Sequence, residues 1–231
     1  STLLMGGLIA LAKPLRPVLL GCVMAFGSGV LLSAVSFELV EKAVETAEGL
    51  RSTAIGLFVG AAVFTIGDEI IAKLGYRHRK DIDGTPPDGG GLSIVLGALL
   101  DGIPESAVLG LTVLQTGDVG TAMVVAVLVS NLPEGVAATS SLRNGGWAVG
   151  RIVALWSGIA LASGISAALG FGLLDGASSD LLAFMFAFAG GAILTMLATS
   201  MIPEAYEHAR RIAGPVTVLG FAVAFTITWL E

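Results

Sequence analysis

Asp101-Gly102-Ile103-Pro104-Glu105-Ser106 sets a carboxylate directly after a proline, deep in a long apolar run. The phrase returns as Ser130-Asn131-Leu132-Pro133-Glu134-Gly135 and again as Ser200-Met201-Ile202-Pro203-Glu204-Ala205. Proline has no N–H for the carbonyl four residues back and crowds it, so a helix carrying one is expected to bend and free that carbonyl. An ionisable side chain inside a membrane segment is costly, and by default it marks a functional pathway. Three such pairings predict a polar, cation-attracting path through a bundle with proline-kinked central helices.

The surrounding chain fits a bilayer. Of its 231 residues 55% are hydrophobic and 13% charged, with mean hydropathy +0.89, whereas a soluble domain carries about 25% charged residues. Thirty-two glycines suit helices whose backbones approach closely, and Gly27, Gly29, Gly158, Gly164, Gly190 and Gly191 are expected to be packing positions. Cys22 is the single cysteine, which excludes an intrachain disulfide and a cysteine metal cluster. A net charge of −6 argues against nucleic acid as a partner. No cleavable signal peptide is legible.

Apolar runs separated by turn signals predict an all-α integral membrane protein, one domain over 1–231. Eight spans are expected, at 1–12, 18–43, 52–74, 92–114, 119–141, 147–173, 180–207 and 214–230. The first is short for a bilayer, which needs about 20 residues. The polar stretch 75–91 reads as a flexible loop, and no repeat is apparent beyond the proline–glutamate phrase. With eight alternating spans, Lys13, Arg16, Lys73, Arg77, Arg79, Lys80, Arg143, Arg151, Arg210 and Arg211 fall on one side, leaving Lys42 and Arg51 opposite. The crowded side is cytoplasmic by the positive-inside rule, so both termini are expected outside a plasma (cell inner) membrane.

Depth then brings the acids together. At ~1.5 Å per residue, Asp101 and Glu105 lie about 13 and 19 Å from the inner end of the fourth span. Asn131 and Glu134 lie about 15 and 10 Å from the inner end of the fifth. Each pair shares a helix face, and the short connection favours antiparallel neighbours, so three carboxylates and an amide are expected to converge near mid-membrane. Crowded carboxylates in a poor dielectric hold protons, and a divalent cation displaces them. All-oxygen donors suit hard cations. Asp68, Glu69, Glu204 and His208 offer a second cluster at a cytoplasmic exit. Ser28, Ser33, Ser36 and Glu38 line the second span, with Glu41, Glu45 and Glu48 as an acidic mouth.

These phrases resemble those of the ZIP (Zrt/Irt-like) family of divalent-metal transporters. The resemblance implies eight helices, external termini, a cytoplasmic loop between helices three and four, and a transport site built on helices four and five. Where that family usually reads His-Asn-x-Pro-Glu-Gly, this chain has Asp101 for the histidine, Gly102 for the asparagine, Glu105 retained and Ser106 for the glycine. Helix five keeps Pro133-Glu134-Gly135 behind Ser130 and Asn131. The helix-seven pattern His-Glu-x-x-Pro-Glu appears as Thr199-Ser200-Met201-Ile202-Pro203-Glu204. The acid that some relatives supply from helix six is missing around Ser157-Gly158, which implies at most one central metal site and a weakened preference for zinc.

The expected function is alternating-access transport of a divalent metal, Zn²⁺ or another such as Mn²⁺, Fe²⁺ or Cd²⁺, through Asp101, Glu105, Asn131 and Glu134. Metal ion and membrane lipid are the expected partners, and a homodimer is an ordinary assembly for such a chain. A non-transporting relative with a metal-sensing or interaction role is the alternative. Enzymatic activity is not expected, because no nucleophile–base pair and no His-Glu-x-x-His phrase occurs.

Overall fold

The computed structural model describes residues 2–12, 16–73, 90–117 and 121–230. Among them are helices and turns and no strand. The helices are α1 (Thr2–Ala12), α2 (Pro17–Ala34), α3 (Glu41–Thr46), α4 (Leu50–Lys73), α5 (Gly90–Thr116), α6 (Thr121–Asn144), α7 (Val149–Leu173), α8 (Ser179–Met196), α9 (Ile202–Ala209) and α10 (Ala213–Leu230). A π-helical segment, Val35–Val40, joins α2 to α3, and another, Leu197–Met201, joins α8 to α9. The loop expected at 75–91 lies outside the described residues except for its last two positions, which open α5.

Two expectations need correction. Six helical runs are long and apolar enough to cross a membrane, with Thr2–Ala12 as a shorter apolar helix, so eight transmembrane helices are met only in part. The difference lies at the two ends of the chain. Helix α1 has 11 residues, about half a bilayer crossing, and Ser179–Leu230 forms one helical run of 52 residues. That run is not one straight rod. Arg210 leaves the helical region at φ 53°, ψ −133°, and α8 packs on α4 while α10 packs on α2. The second correction concerns proline. Helices α5 and α6 continue through Pro104 and Pro133, and the irregular turn occurs instead just before Pro203. There the π segment widens the backbone, and Pro203 falls in the first turn of α9, where its missing N–H is no loss.

Glycines decide which helices meet. A Cβ at Gly60 would overlap the Phe188 carbonyl and one at Gly191 that of Leu57, so α4 and α8 touch backbone to backbone. The same reciprocal contact joins Gly29 to Thr217 and Gly220 to Phe26 (α2 with α10), Gly110 to Ala167 and Gly170 to Ala107 (α5 with α7), and Gly6 to Leu132 and Gly135 to Leu3 (α1 with α6). Small residues permit this approach, and packing in place of a hydrophobic force holds such pairs. Residue numbers rise together along each pair: Gly56 and Gly60 meet Phe184 and Phe188, Gly102 and Gly110 meet Ser163 and Ala167, and Gly6 and Gly7 meet Leu132 and Thr139. Gly29 meets Thr217 while Phe37 meets Phe221 and Phe225, at 6.2 and 5.2 Å between ring centroids. Each pair is therefore parallel. Treated as eight apolar segments in chain order, the first pairs with the fifth, the second with the eighth, the third with the seventh and the fourth with the sixth. Exchanging first with sixth, second with seventh, third with eighth and fourth with fifth reproduces the same pairing. That exchange also interchanges the two π segments and the two mid-helix Pro-Glu phrases.

The expected packing role holds at Gly29 and Gly191, and at Gly27, where an added methyl would lie 3.0 Å from Met201 Cε and 3.2 Å from Val129 O. It fails at Gly158 and Gly164, which have nothing within 4 Å of an added Cβ, because α7 turns much of its surface outward, as Leu161 at 68% exposure shows. Gly190 makes only ordinary contacts. Gly158→Ala is therefore expected to be neutral or to stabilise by up to about 1 kcal/mol, through helix propensity alone. Thermal unfolding in detergent, with wild type alongside, measures it.

Candidate functional site

Asp101 and Glu105 sit one turn apart on α5, and Asn131 and Glu134 one turn apart on α6. All four side chains are buried, with relative exposures of 3%, 2%, 6% and 6% respectively. Burying carboxylates among apolar helices opposes folding unless other groups compensate their polarity. Asn131 supplies part of that compensation. Its Nδ2 donates to Glu105 Oε2 at 2.8 Å and to the backbone oxygen of Val127 at 2.8 Å, tying the two Pro-Glu helices together at their centre.

The convergence is narrower than the sequence predicts. Among the described residues no group of three or more His, Cys, Asp and Glu is disposed to hold a metal ion. Helices α5 and α6 touch, but each packs chiefly elsewhere, α5 on α7 and α6 on α1 and α2. A short connection therefore does not make them principal partners; the glycine contacts with other helices do. Glu105 and Asn131 instead line one wall of a partly open cavity of about 390 Å³ between α1, α5, α6 and α7. Ser106 and Ser163 add hydroxyls to a lining that is otherwise mostly apolar. The lining of this cavity by Thr2, Leu3 and Met5 of α1 is a feature that sequence reasoning missed, since nothing in the phrases points to α1.

Behind the site, α2 closes the other side of α6. The missing side chain of Gly27 admits the backbone of Val129 and Ser130 together with Met201 of the second π segment. That contact brings the region preceding Pro133-Glu134 close to the region preceding Pro203-Glu204. Ser28 and Ser36 donate to the carbonyls four residues back, each at 2.8 Å, whereas the fully buried Ser33 Oγ has no hydrogen-bond partner among the described residues.

The four residues expected at an exit are spread over two helices with different partners. Asp68 and Glu69 are on α4, which packs chiefly on α8, while Glu204 and His208 are on α9, which packs chiefly on α2. Glu69 is exposed and lies 3.5 Å from Lys73 Nζ, one turn on. Such a pair contributes about 0–1 kcal/mol. His208 is half-buried, and its Cβ packs over Gly21. Glu41, Glu45 and Glu48 are exposed, as a wet helix end would be.

No family model matches the chain. Over 198 residues it is 27% identical to a proposed zinc transporter of Arabidopsis thaliana, an alignment covering 84% of this chain and 31% of that protein. This likeness supports a ZIP-like family. The chain thus spans about a third of the length of the curated relative it matches. With its long apolar helices, the chain is a helical membrane protein.

Proposed function

We propose that this chain transports a divalent metal cation by alternating access, with Glu105 and Glu134 as the principal ligands and Asp101 and Asn131 completing the set. The observation that carries the reading is the buried Asn131–Glu105 hydrogen bond between two Pro-Glu helices, set beside the similarity to a proposed zinc transporter. In this arrangement the Asn131 amide presents its N–H to Glu105, occupying the position of a cation. Turning the amide about its last side-chain torsion presents the oxygen instead, so that carboxylate and amide both face an arriving ion. Protons held by the crowded carboxylates leave as the metal binds. Zinc is the first candidate cargo, and oxygen-only donors extend the range to Mn²⁺, Fe²⁺ and Cd²⁺.

The eight apolar segments are proposed to cross the membrane in alternation, with both termini outside the cell inner membrane. Parallel pairing supports this, because all four pairs join segments of equal parity. Glu204 and His208 form the proposed inner station, with Asp68 nearby in depth; Glu69, exposed beside Lys73, contributes at most long-range charge. The apolar faces of α4 and α7 are proposed to meet lipid. The second reading, a non-transporting metal-responsive protein, draws on the absence of a preassembled three-ligand cluster among the described residues.

Uptake of Zn²⁺, Cd²⁺, Mn²⁺, Fe²⁺ and Mg²⁺ into proteoliposomes separates the two. Saturable flux in wild type that Glu134→Gln abolishes, with unchanged thermal stability, is the expected result. Undiminished flux in Glu134→Gln overturns the site, and no flux of any ion in folded protein favours the second reading.

A further inference from the structure

The cavity between α1, α5, α6 and α7 is larger and more apolar than a bare metal ion requires. Its volume of about 390 Å³ falls within the range of small-molecule sites, about 300–1,000 Å³. Met5, Leu109, Val124, Val127 and Leu128 supply hydrocarbon walls, which offer a divalent ion no oxygen ligand. Glu105, Ser106, Asn131 and Ser163 supply the polar part of the lining. The two parts are segregated. Glu105 and Ser106 precede Leu109 by about one turn of α5, and Asn131 follows Val124, Val127 and Leu128 on α6. Helices α5 and α6 are consecutive segments of opposite sense in the proposed alternation, so the polar groups share one end of the cavity and the hydrocarbon the other.

Charge at the cavity is of one sign. The four helices around it carry three acids, Asp101, Glu105 and Glu134, and neither α1 nor α5 has a Lys or Arg. Arg143 of α6 lies twelve residues past Asn131, about 18 Å, and Arg151 of α7 lies nine residues before Ala160, about 14 Å. Such a field selects a cation. The rim indicates how one arrives. Met5 and Leu128 are 57% and 44% exposed, and Gly164, also in the lining, is exposed. Leu128 lies seven residues into α6, about 10 Å, and Gly164 nine residues before the end of α7, about 13 Å. At that depth a spanning helix meets lipid tails.

We propose that this cavity binds a single-chain amphiphilic amine drawn from the bilayer, its ammonium on Glu105 and its tail against Leu109, Val124 and Leu128. The tail leaves one apolar medium for another, so it gains packing and little hydrophobic free energy. The contact of ammonium with carboxylate therefore decides affinity. An ammonium at Glu105 takes the place proposed for the metal ion, so amine and metal exclude one another. That exclusion rests on the transport reading; the amine site itself does not.

Photolabelling in phosphatidylcholine vesicles, which carry no primary amine, tests the site without flux. The probes are an alkylammonium bearing a diazirine in its chain and the alcohol of the same chain, with adducts located by peptide mass spectrometry. Labelling of α6 and α7 is divided by that of α10, which has no ionisable side chain and exposes Val218 and Leu219. This ratio is expected to be at least about tenfold higher for the amine than for the alcohol. Glu105→Gln is expected to bring the amine down to the level of the alcohol, with an unchanged unfolding midpoint. Gly164→Phe sets a ring at the rim, where an added Cβ meets nothing within 4 Å, and is expected to cut amine labelling at least about fivefold. Equal ratios for amine and alcohol overturn the inference, as does full amine labelling in either folded variant. Zn²⁺ on the same vesicles keeps the two readings apart, and it is expected to suppress amine labelling reciprocally. Glu105-dependent labelling that Zn²⁺ leaves unchanged, without Zn²⁺ flux, keeps the amine site and sinks the metal assignment. Zn²⁺ flux that Glu105→Gln abolishes, without amine-selective labelling, does the reverse.

Discussion

Asn131→Leu is expected to lower metal uptake at subsaturating concentration by at least about thirtyfold, or ~2 kcal/mol, while leaving a folded protein. Leucine has the same branched four-atom skeleton as asparagine and suits an apolar helix, so the fold around α6 is expected to be retained. What disappears is the donor at 2.8 Å from Glu105 Oε2 and, in the metal-bound arrangement, an oxygen ligand. Taking the donor from a buried acceptor costs more than the net worth of an ordinary hydrogen bond, because the desolvated oxygen loses a partner it had on folding. Asn131→Asp separates the two roles. It keeps an oxygen ligand but sets a second carboxylate against Glu105, so it is expected to strengthen dependence on bound metal for thermal stability. Initial uptake rates across a concentration series, paired with unfolding midpoints with and without Zn²⁺, measure both. Full uptake in Asn131→Leu would remove the amide from the site.

Gly60→Leu is expected to destabilise the protein by at least about 3 kcal/mol, the upper end of overpacking costs. A Cβ at Gly60 meets the Phe188 carbonyl and its attached carbons, all backbone atoms, so no rotamer change relieves the overlap. Either α4 must separate from α8, losing the contact that Gly56 and Gly191 also make, or the helix must distort. Gly158→Leu is the matched control, because nothing lies within 4 Å of an added Cβ there. Unfolding midpoints of the two variants in the same detergent are expected to differ by many degrees. Equal midpoints would mean that the α4–α8 contact contributes little.

Why the two glycines differ was not legible in the chain. Both sit in apolar helical runs, and Gly158 was expected to pack as closely as Gly29. Closeness depends on which face of α7 meets a neighbour, and the face that meets α5 is the one carrying Ser163, Ser166 and Gly170. Helix periodicity places residues on faces but does not say which face is inward when all faces are apolar. The same limit applies to α5 and α6: their short connection suggested a principal contact, whereas glycine stripes direct each to a different partner.

Composition and the spacing of polar residues determined much by themselves. They established a helical membrane protein, because unbroken apolar runs can satisfy their backbone in lipid only as helices or closed barrels. They also singled out the Pro-Glu phrases, because a buried acid stands out in any apolar context. Glu105, Asn131, Asp101 and Glu134 were named from residue type and turn spacing, and all four are buried. The tertiary structure alone decided that the Asn131 amide donates to Glu105, that α1 borders the adjoining cavity, and that Glu69 faces outward beside Lys73. It also paired Glu38 of the first π segment with Lys42 of α3, 2.8 Å apart. These outcomes depend on the azimuth at which each helix is set against its partner. Backbone contact at a few glycines fixes that azimuth, and no single helix carries this information in its own sequence.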